Sequence, residues 1–270
     1  MPRDPKHFVQ ALARGLAVLR AFSAERPRLT LTELGEATGM NKAAVQRLTD
    51  TLMALGFLGR NRHKEFYLGP QVLGLGYAYL QGSELREMAK DHLRRFSEQV
   101  GHTVNLTVLD GQDVVVLYRR EVRSFFKFDV QAGSRLPSHC TSMGKVLLAA
   151  LPDPELRALL RRMRLESYTP YTITDRERLW EEVMETRRQG LGRSDREASL
   201  ALFSHAAPLI DQRGRVIAAM NVSLFAEEAS GPRLEQARRL LCEQGGQLSA
   251  LLGYRGPYPV IPVGRAADDE

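Results

Sequence analysis

Cysteine is nearly missing from this chain: Cys140 and Cys242 are the two among 270 residues. They lie far apart in unlike surroundings, so neither a disulfide framework nor a zinc-binding spacing is present. That scarcity suits a reduced, intracellular setting. Long apolar runs are missing as well. None approaches the roughly 20 residues that a bilayer-spanning helix needs. The stretch from Met1 to His7 leads straight into an amphipathic segment rather than an apolar secretory core. The expectation is a cytoplasmic protein with no signal peptide and no membrane contact. Lysine is scarce: six lysines leave 32 of the 38 cations to arginine. The net charge of +6 favours polyanionic partners.

With 43% hydrophobic residues, the chain can form two domains, each with its own core. The most informative stretch runs from Leu31 to Leu68. Thr30 or Thr32 can cap a first helix, and Glu33 and Glu36 sit where the helix dipole favours negative charge. Gly39 ends that helix. Asn41 caps a second, in which Ala44, Val45, Leu48, Leu52 and Leu55 recur at helical spacing and form a core face. Gly56 stops it. Phe57-Leu58 and Glu65 to Leu68 then read as short strands around a basic turn, residues 59–64. The pattern is a winged helix-turn-helix. Upstream, Phe8 to Phe22 reads as a covering helix with Leu12, Leu16, Leu19 and Phe22 on one stripe.

An α-helix fits the major groove of B-DNA, and residues near its N-terminus reach base edges. Lys42, Gln46 and Arg47 offer cations for phosphate or guanine and an amide for adenine. Thr32, Asn41 and Ala43 flank them, and an alanine can meet a thymine methyl. Arg60, Arg62 and Lys64 make the wing basic enough to follow the phosphate backbone. An ordinary helical hairpin with a solvated charged face would show much of the same pattern.

Gly69-Pro70 breaks the chain. Gln71 to Gln81 is a short helix with more apolar residues than a spacer needs, which suits a bridge between domains or contact with a second chain. Gly82-Ser83 is a second break. Beyond it the order is helix (Glu84–Val100), strands (Thr103–Leu109, Asp113–Arg120, Phe125–Val130), helices (Met143–Leu151, Pro154–Arg162, Asp175–Gln189), strands (Leu200–Ile210, Val216–Phe225) and a final helix (Pro232–Leu252). Asp110-Gly111 supplies a hairpin turn. The fold class is α+β, an antiparallel sheet with helices on its faces. The expected divisions are 1–69 for the winged helix-turn-helix, 70–82 for a linker helix, 83–255 for the second domain and 256–270 for a flexible tail.

Several motifs in order resemble the IclR family of bacterial transcription regulators over about Phe8 to Leu252. They are ARGLAVLRAF (Ala13–Phe22), the helix-turn-helix, LGLGYAYL (Leu73–Leu80), RLPSHCTSMGKVLLA (Arg135–Ala149), YTITD (Tyr171–Asp175), RRQGLGRSDRE (Arg187–Glu197) and GRVIAAMNVS (Gly214–Ser223). The first, third and fourth look most like the branch that controls β-ketoadipate-pathway (protocatechuate and hydroxybenzoate) breakdown. The resemblance implies a ligand-responsive regulator that binds a double-stranded operator as a homodimer or homotetramer. It also implies a C-terminal GAF-like domain that holds a small organic acid. Carried over by position, the effector site would include Ser142, Met143, Asp195, Ser204, Asn221 and Ser223, with Cys140 lining it. A buried carboxylate needs several such donors. The chain departs from the aromatic-acid pattern Gly-Leu-Arg-Ser at Ala201-Leu202-Phe203-Ser204. A phenylalanine there replaces an arginine that could pair with a carboxylate.

Other readings are weaker. His139, Cys140, His205 and Asp195 could suggest a hydrolase or metal site, but no oxyanion-hole or orienting motif accompanies them. No enzyme activity, metal or cofactor is expected. The remaining alternative is a GAF-like small-molecule sensor that acts through protein contacts without sequence-specific DNA binding.

Overall fold

In the computed structural model, residues 7–23, 25–122 and 130–264 are described. The chain divides into two compact units, Met1–Gly82 and Ser83–Glu270.

In the first unit, α1 (Gln10–Arg20), α2 (Leu31–Thr38) and α3 (Lys42–Ala54) precede a two-stranded wing, β1 (Leu58–Arg60) and β2 (Phe66–Leu68), and then α4 (Gln71–Gln81). Thr30 begins α2 through a reciprocal cap. Its hydroxyl accepts from the Glu33 N–H at 3.3 Å, and its own N–H donates to Glu33 Oε2 at 2.7 Å. Gly39 adopts φ 66° and turns the chain toward Asn41, whose Oδ1 accepts from the Ala44 N–H at 2.9 Å and caps α3. Val18, Phe22, Leu29, Leu34, Val45, Leu58 and Phe66 form the core.

Two expectations fail here. Leu12 and Leu16 are 62% and 48% exposed, because α1 buries a face on Val18 and Phe22 while Gly15 lies toward Leu48. Leu55 is 59% exposed at the end of α3, where Thr49 takes a buried place instead. In α4 no residue is buried, and Leu73, Leu75, Tyr77 and Tyr79 all stand exposed.

The second unit opens with α5 (Glu84–Val100), followed by β3 (Thr103–Asp110), β4 (Asp113–Arg120), β5 (Arg135–Pro137), α6 (Ser142–Ala149), α7 (Asp153–Arg162), α8 (Arg176–Gln189), β6 (Gly192–Asp195), β7 (Leu202–Ile210), β8 (Val216–Phe225) and α9 (Gly231–Leu251). The strands form one antiparallel sheet in the order β5-β4-β3-β8-β7-β6. α5 packs on β3 and β4, α9 on β7 and β8, and α6 on β6, β7 and β8, with α8 behind it. Every residue of α6 is buried. Two glycines allow that depth: a Cβ on Gly144 would meet Ser138 O at 2.1 Å, and one on Gly192 would meet Ser142 O at 2.3 Å.

Most of a strand expected at Phe125–Val130 falls on 123–129, outside the described residues; among the described residues β5 at Arg135–Pro137 pairs with β4. The edge strand β6 was not read from the sequence. Its four residues carry no apolar alternation. The expected loose tail needs correction as far as Gly264. Ile261 is buried in the second core, Tyr258 Oη donates to Pro208 O at 2.8 Å, and the Gly264 N–H donates to Ala150 O at 2.9 Å. The segment is held by these apolar and hydrogen-bonded contacts despite its proline content.

Candidate nucleic-acid interface and ligand cavity

The first candidate surface is the outer face of α3 with the wing. Thr32, Lys42, Ala43 and Arg47 are exposed, and Asn41 is exposed while its Oδ1 holds the cap. Gln46 is half-buried, and its Nε2 donates to Asp50 Oδ1 at 2.7 Å, so reading a base would require it to exchange that partner. In the wing, Asn61 Oδ1 accepts from the His63 and Glu65 N–H groups and shapes the turn that presents Arg62 and Lys64. Arg60 lies over the Phe66 ring, 5.2 Å from its centroid, and stays at the root of the wing. The arrangement places cations on the N-terminal turns of an exposed helix and on a protruding loop, where they can meet phosphates and base edges.

The second site is a cavity of about 190 Å³ in the second unit. Its floor is polar. Antiparallel pairing sets Arg119 opposite Asn105 and Asn105 opposite Asn221. The next row sets Thr103 opposite Ser223, Ser223 opposite Ser204, and Ser204 opposite Ser194. Because side chains alternate along a strand, these residues share one face of the sheet. Cys140, Thr141 and Met143 at the start of α6 close the cavity from above with Tyr168, while Val122, Val130, Leu136 and Phe225 supply apolar walls.

Of the seven effector positions expected from sequence, Cys140, Met143, Ser204, Asn221 and Ser223 line this cavity. Ser142 does not. It is fully buried behind the lining, with its Oγ 2.8 Å from Ser204 Oγ. Asp195 is also outside the lining, held by Arg193 at 2.9 Å and Arg196 at 3.0 Å. Phe203 neighbours Ser204 on β7 and therefore faces the other side of the sheet, 5.0 Å from His205 and below Arg193. The departure from the aromatic-acid pattern thus changes the far face of the sheet and leaves the cavity floor alone.

Asn105 and Arg119 were not anticipated from sequence. A signal existed: Thr103, Asn105 and Thr107 are polar at alternate positions with the apolar Val104 and Leu106 between them, and Asn105 and Thr107 are buried. The network they form is continuous. Arg119 Nη1 donates to Asn105 Oδ1 at 3.0 Å, Asn105 Nδ2 donates to Asn221 Oδ1 at 2.9 Å, and Asn221 Nδ2 donates to Ser223 Oγ at 3.1 Å. Arg119 also pairs with Glu121 at 3.1 Å.

Cys140 and His139 are buried. Burial pushes the Cys140 thiol up to about 12, so it remains protonated at neutral pH and lacks the thiolate that nucleophilic or redox-sensing cysteines use. Burial holds His139 and His205 below the usual imidazole value. His139 Nε2 lies 3.0 Å from Glu166 O, while Cys140 Sγ lies toward Pro137 O, so the two side chains are committed to different carbonyls. Beside them Lys145 is 1% exposed and bridges Glu197 at 2.6 Å and Glu182 at 2.9 Å. Among the described residues no group of three or more His, Cys, Asp and Glu could hold a metal, and no helix is long and apolar enough to cross a membrane.

Comparison with known proteins places both units. Residues 11–62 match the IclR helix-turn-helix domain, and residues 77–250 match the bacterial transcriptional regulator IclR C-terminal domain. The chain is 38% identical over 250 residues to the Pca regulon regulatory protein of Pseudomonas putida, covering 89% of this chain and 85% of that one. It is 34% identical to the p-hydroxybenzoate hydroxylase transcriptional activator of Acinetobacter baylyi, covering 79% and 80% of the two chains. Its structure is similar to that of an IclR homologue from Microbacterium hydrocarbonoxydans complexed with 4-hydroxybenzoate. That match has a TM-score of 0.71, 27% identity, and coverage of 90% of this chain and 99% of that one.

Proposed function

Because the chain belongs to the IclR family of bacterial DNA-binding transcriptional regulators, we propose that it switches operator binding in response to a small aromatic acid held in the second unit. Residues 1–69 read DNA through Lys42, Ala43, Gln46 and Arg47 with the wing cations Arg62 and Lys64, and 70–82 is a linker helix. The GAF-like remainder from 83 to 255 holds the effector. The protein acts in the cytoplasm as a homodimer or homotetramer, not as an enzyme. The exposed Leu73, Leu75, Tyr77 and Tyr79 of the linker helix support contact with a second copy.

The observation that carries the effector reading is the cavity itself, about 190 Å³ with a floor of side-chain donors. An apolar cavity of about 150 Å³ accommodates benzene, so one ring with a carboxylate and a hydroxyl is the matching size. The relative named as the p-hydroxybenzoate hydroxylase transcriptional activator, and the structural neighbour complexed with 4-hydroxybenzoate, support the same class. Ligand binding would favour one arrangement of the protein only by the difference in its affinity for the two.

The experiment is thermal unfolding with protocatechuate, 4-hydroxybenzoate, glyoxylate and pyruvate, paired with gel shifts on the DNA flanking the gene. An effector at ~100 times its Kd should add roughly 2.7 kcal/mol. Stabilisation by the aromatic acids, with the same acids altering a salt-dependent gel shift, is the expected result. Operator binding indifferent to salt would mean that phosphate contacts are absent, and the protein-contact sensor would replace this reading.

A further inference from the structure

We propose that Arg119 is the charge-selecting residue of the cavity: it makes the cavity prefer a carboxylate over a neutral isostere, in competition with the internal carboxylate of Glu121. The inference rests on the effector reading above and assigns the cavity a residue that the carried-over set does not contain.

The first support is the direction of the hydrogen bonds. Amide orientations are ordinarily ambiguous, but here obligate donors fix both. A guanidinium only donates, so the atom that Arg119 Nη1 meets at 3.0 Å is an oxygen, Asn105 Oδ1. The backbone N–H of Asn105 also only donates, so the atom it meets at 3.0 Å is Asn221 Oδ1. Asn221 must then turn its NH₂ to Ser223 Oγ. Ser223 accepts at that lone pair and has its own O–H left to donate. The relay therefore leaves Ser223 an uncommitted O–H at the cavity, beside one remaining lone pair, and a ligand acceptor can be met there.

The second support is the set of donors that remain on Arg119 once one N–H of Nη1 and one of Nη2 are committed. Nη1 serves Asn105 and Nη2 serves Glu121, while Nε is buried with no hydrogen-bond partner among the described residues. A buried donor without an acceptor costs free energy, but Nε is closed off by protein atoms; the N–H groups still free to meet a ligand oxygen are the second ones on Nη1 and Nη2. Arg119 is the only arginine or lysine among the described residues lining the cavity, and its side chain is 16% exposed. Glu121, its counter-ion, is more open at 35%. Charge thus favours an anion through the more buried partner, and Glu121 opposes it. A carboxylate offers oxygens alone to these donors. The corresponding carboxamide brings N–H groups that the donors cannot satisfy.

The test is calorimetric titration of the full-length protein with 4-hydroxybenzoate and 4-hydroxybenzamide, in the wild type and in Arg119→Gln and Glu121→Gln. The wild type should prefer the acid. Arg119→Gln should reduce the acid-over-amide preference by about tenfold or more, as expected for loss of a hydrogen bond to a charged group. Glu121→Gln should increase it several-fold. A residue that only holds the floor together would weaken acid and amide alike in both variants, and that result overturns the inference. So does an unchanged preference in Arg119→Gln. If Arg119→Gln does not fold, Arg119→Lys decides: a kept preference supports charge selection and a lost one refutes it. Should wild-type protein bind none of 4-hydroxybenzoate, protocatechuate, pyruvate and glyoxylate, the effector reading fails and takes this inference with it. Acid binding that survives Arg119→Gln intact sinks the inference alone.

Discussion

Arg47 and Arg119 carry the same charge in opposite circumstances. Arg47 stands exposed on α3 of the first unit. Arg119 sits in the sheet of the second, bonded to Asn105 and Glu121. The pair stands for the two units. One keeps its polar chemistry in water, where each cation acts nearly alone and is screened by salt. The other keeps it in a network, where an unpaired group is costly and removing one member disturbs the rest. The same substitution should therefore have unlike consequences in the two units.

The sharpest way to break this comparison is to remove a cation from each. Lys145→Met takes the buried ammonium from between Glu182 and Glu197 and leaves a carboxylate with no cation in the core. Stability should fall by about 3–5 kcal/mol, read as a shift in the urea midpoint. Lys42→Met on the exposed end of α3 should stay within about 0.5 kcal/mol. Equal losses would show that burial is not what separates the units.

A smaller effect sharpens the comparison by function. Arg47→Ala should cost about 1–3 kcal/mol of operator affinity if it reads a base, or lower the salt slope by about one if it meets a phosphate. Effector affinity should not change in either case. Asn221→Ala should act the other way, weakening the effector response in calorimetry and leaving operator binding of the unliganded protein unchanged. A variant that moves both readouts equally would merge the two sites.

The smallest expected effect is with pH. Burial holds the folded pKa of His139 and His205 below the ordinary value of 6.5. Below about pH 6.5 the unfolded chain binds more protons than the folded one, so stability rises with pH there. The contribution of these two residues is complete above 6.5 and is lost as the pH falls through the window below it. Denaturant midpoints between pH 5 and 8 should decline on the acid side, and His205→Gln should flatten that decline. An unchanged slope in that variant would remove His205 from the account.

The two units also differ in how far they could be read before folding. The helix-turn-helix is local. Thr30 and Glu33 cap each other three residues apart, Asn41 caps at the same spacing, and Gly39 marks the turn between them. Such signals lie within one window of sequence. Even so, the exposed side of α1 was misplaced, because Gly15 rather than a leucine lies toward α3, and a glycine carries no hydrophobic signal. The cavity depends on register between distant strands. Asn105 meets Asn221 across 116 positions, which no spacing rule reveals. Of the positions carried over from a family, Met143, Ser204, Asn221 and Ser223 fall on the cavity lining. The carry-over missed Arg119 and Asn105, and it gave Phe203 a bearing on the cavity that strand alternation denies it.

Met143 touches the cavity at the first turn of α6, Lys145 ties the next residues to α8, and Arg187 of α8 grips the far end through Ala149 O and Leu151 O. Gly144 is pressed against Ser138 with no room to give. A strut fixed at three points and packed on every side cannot bend to absorb a push at one end. The Met143 side chain can turn within the cavity, but a shift of its backbone would be shared by α6 and, through these ties, by α8.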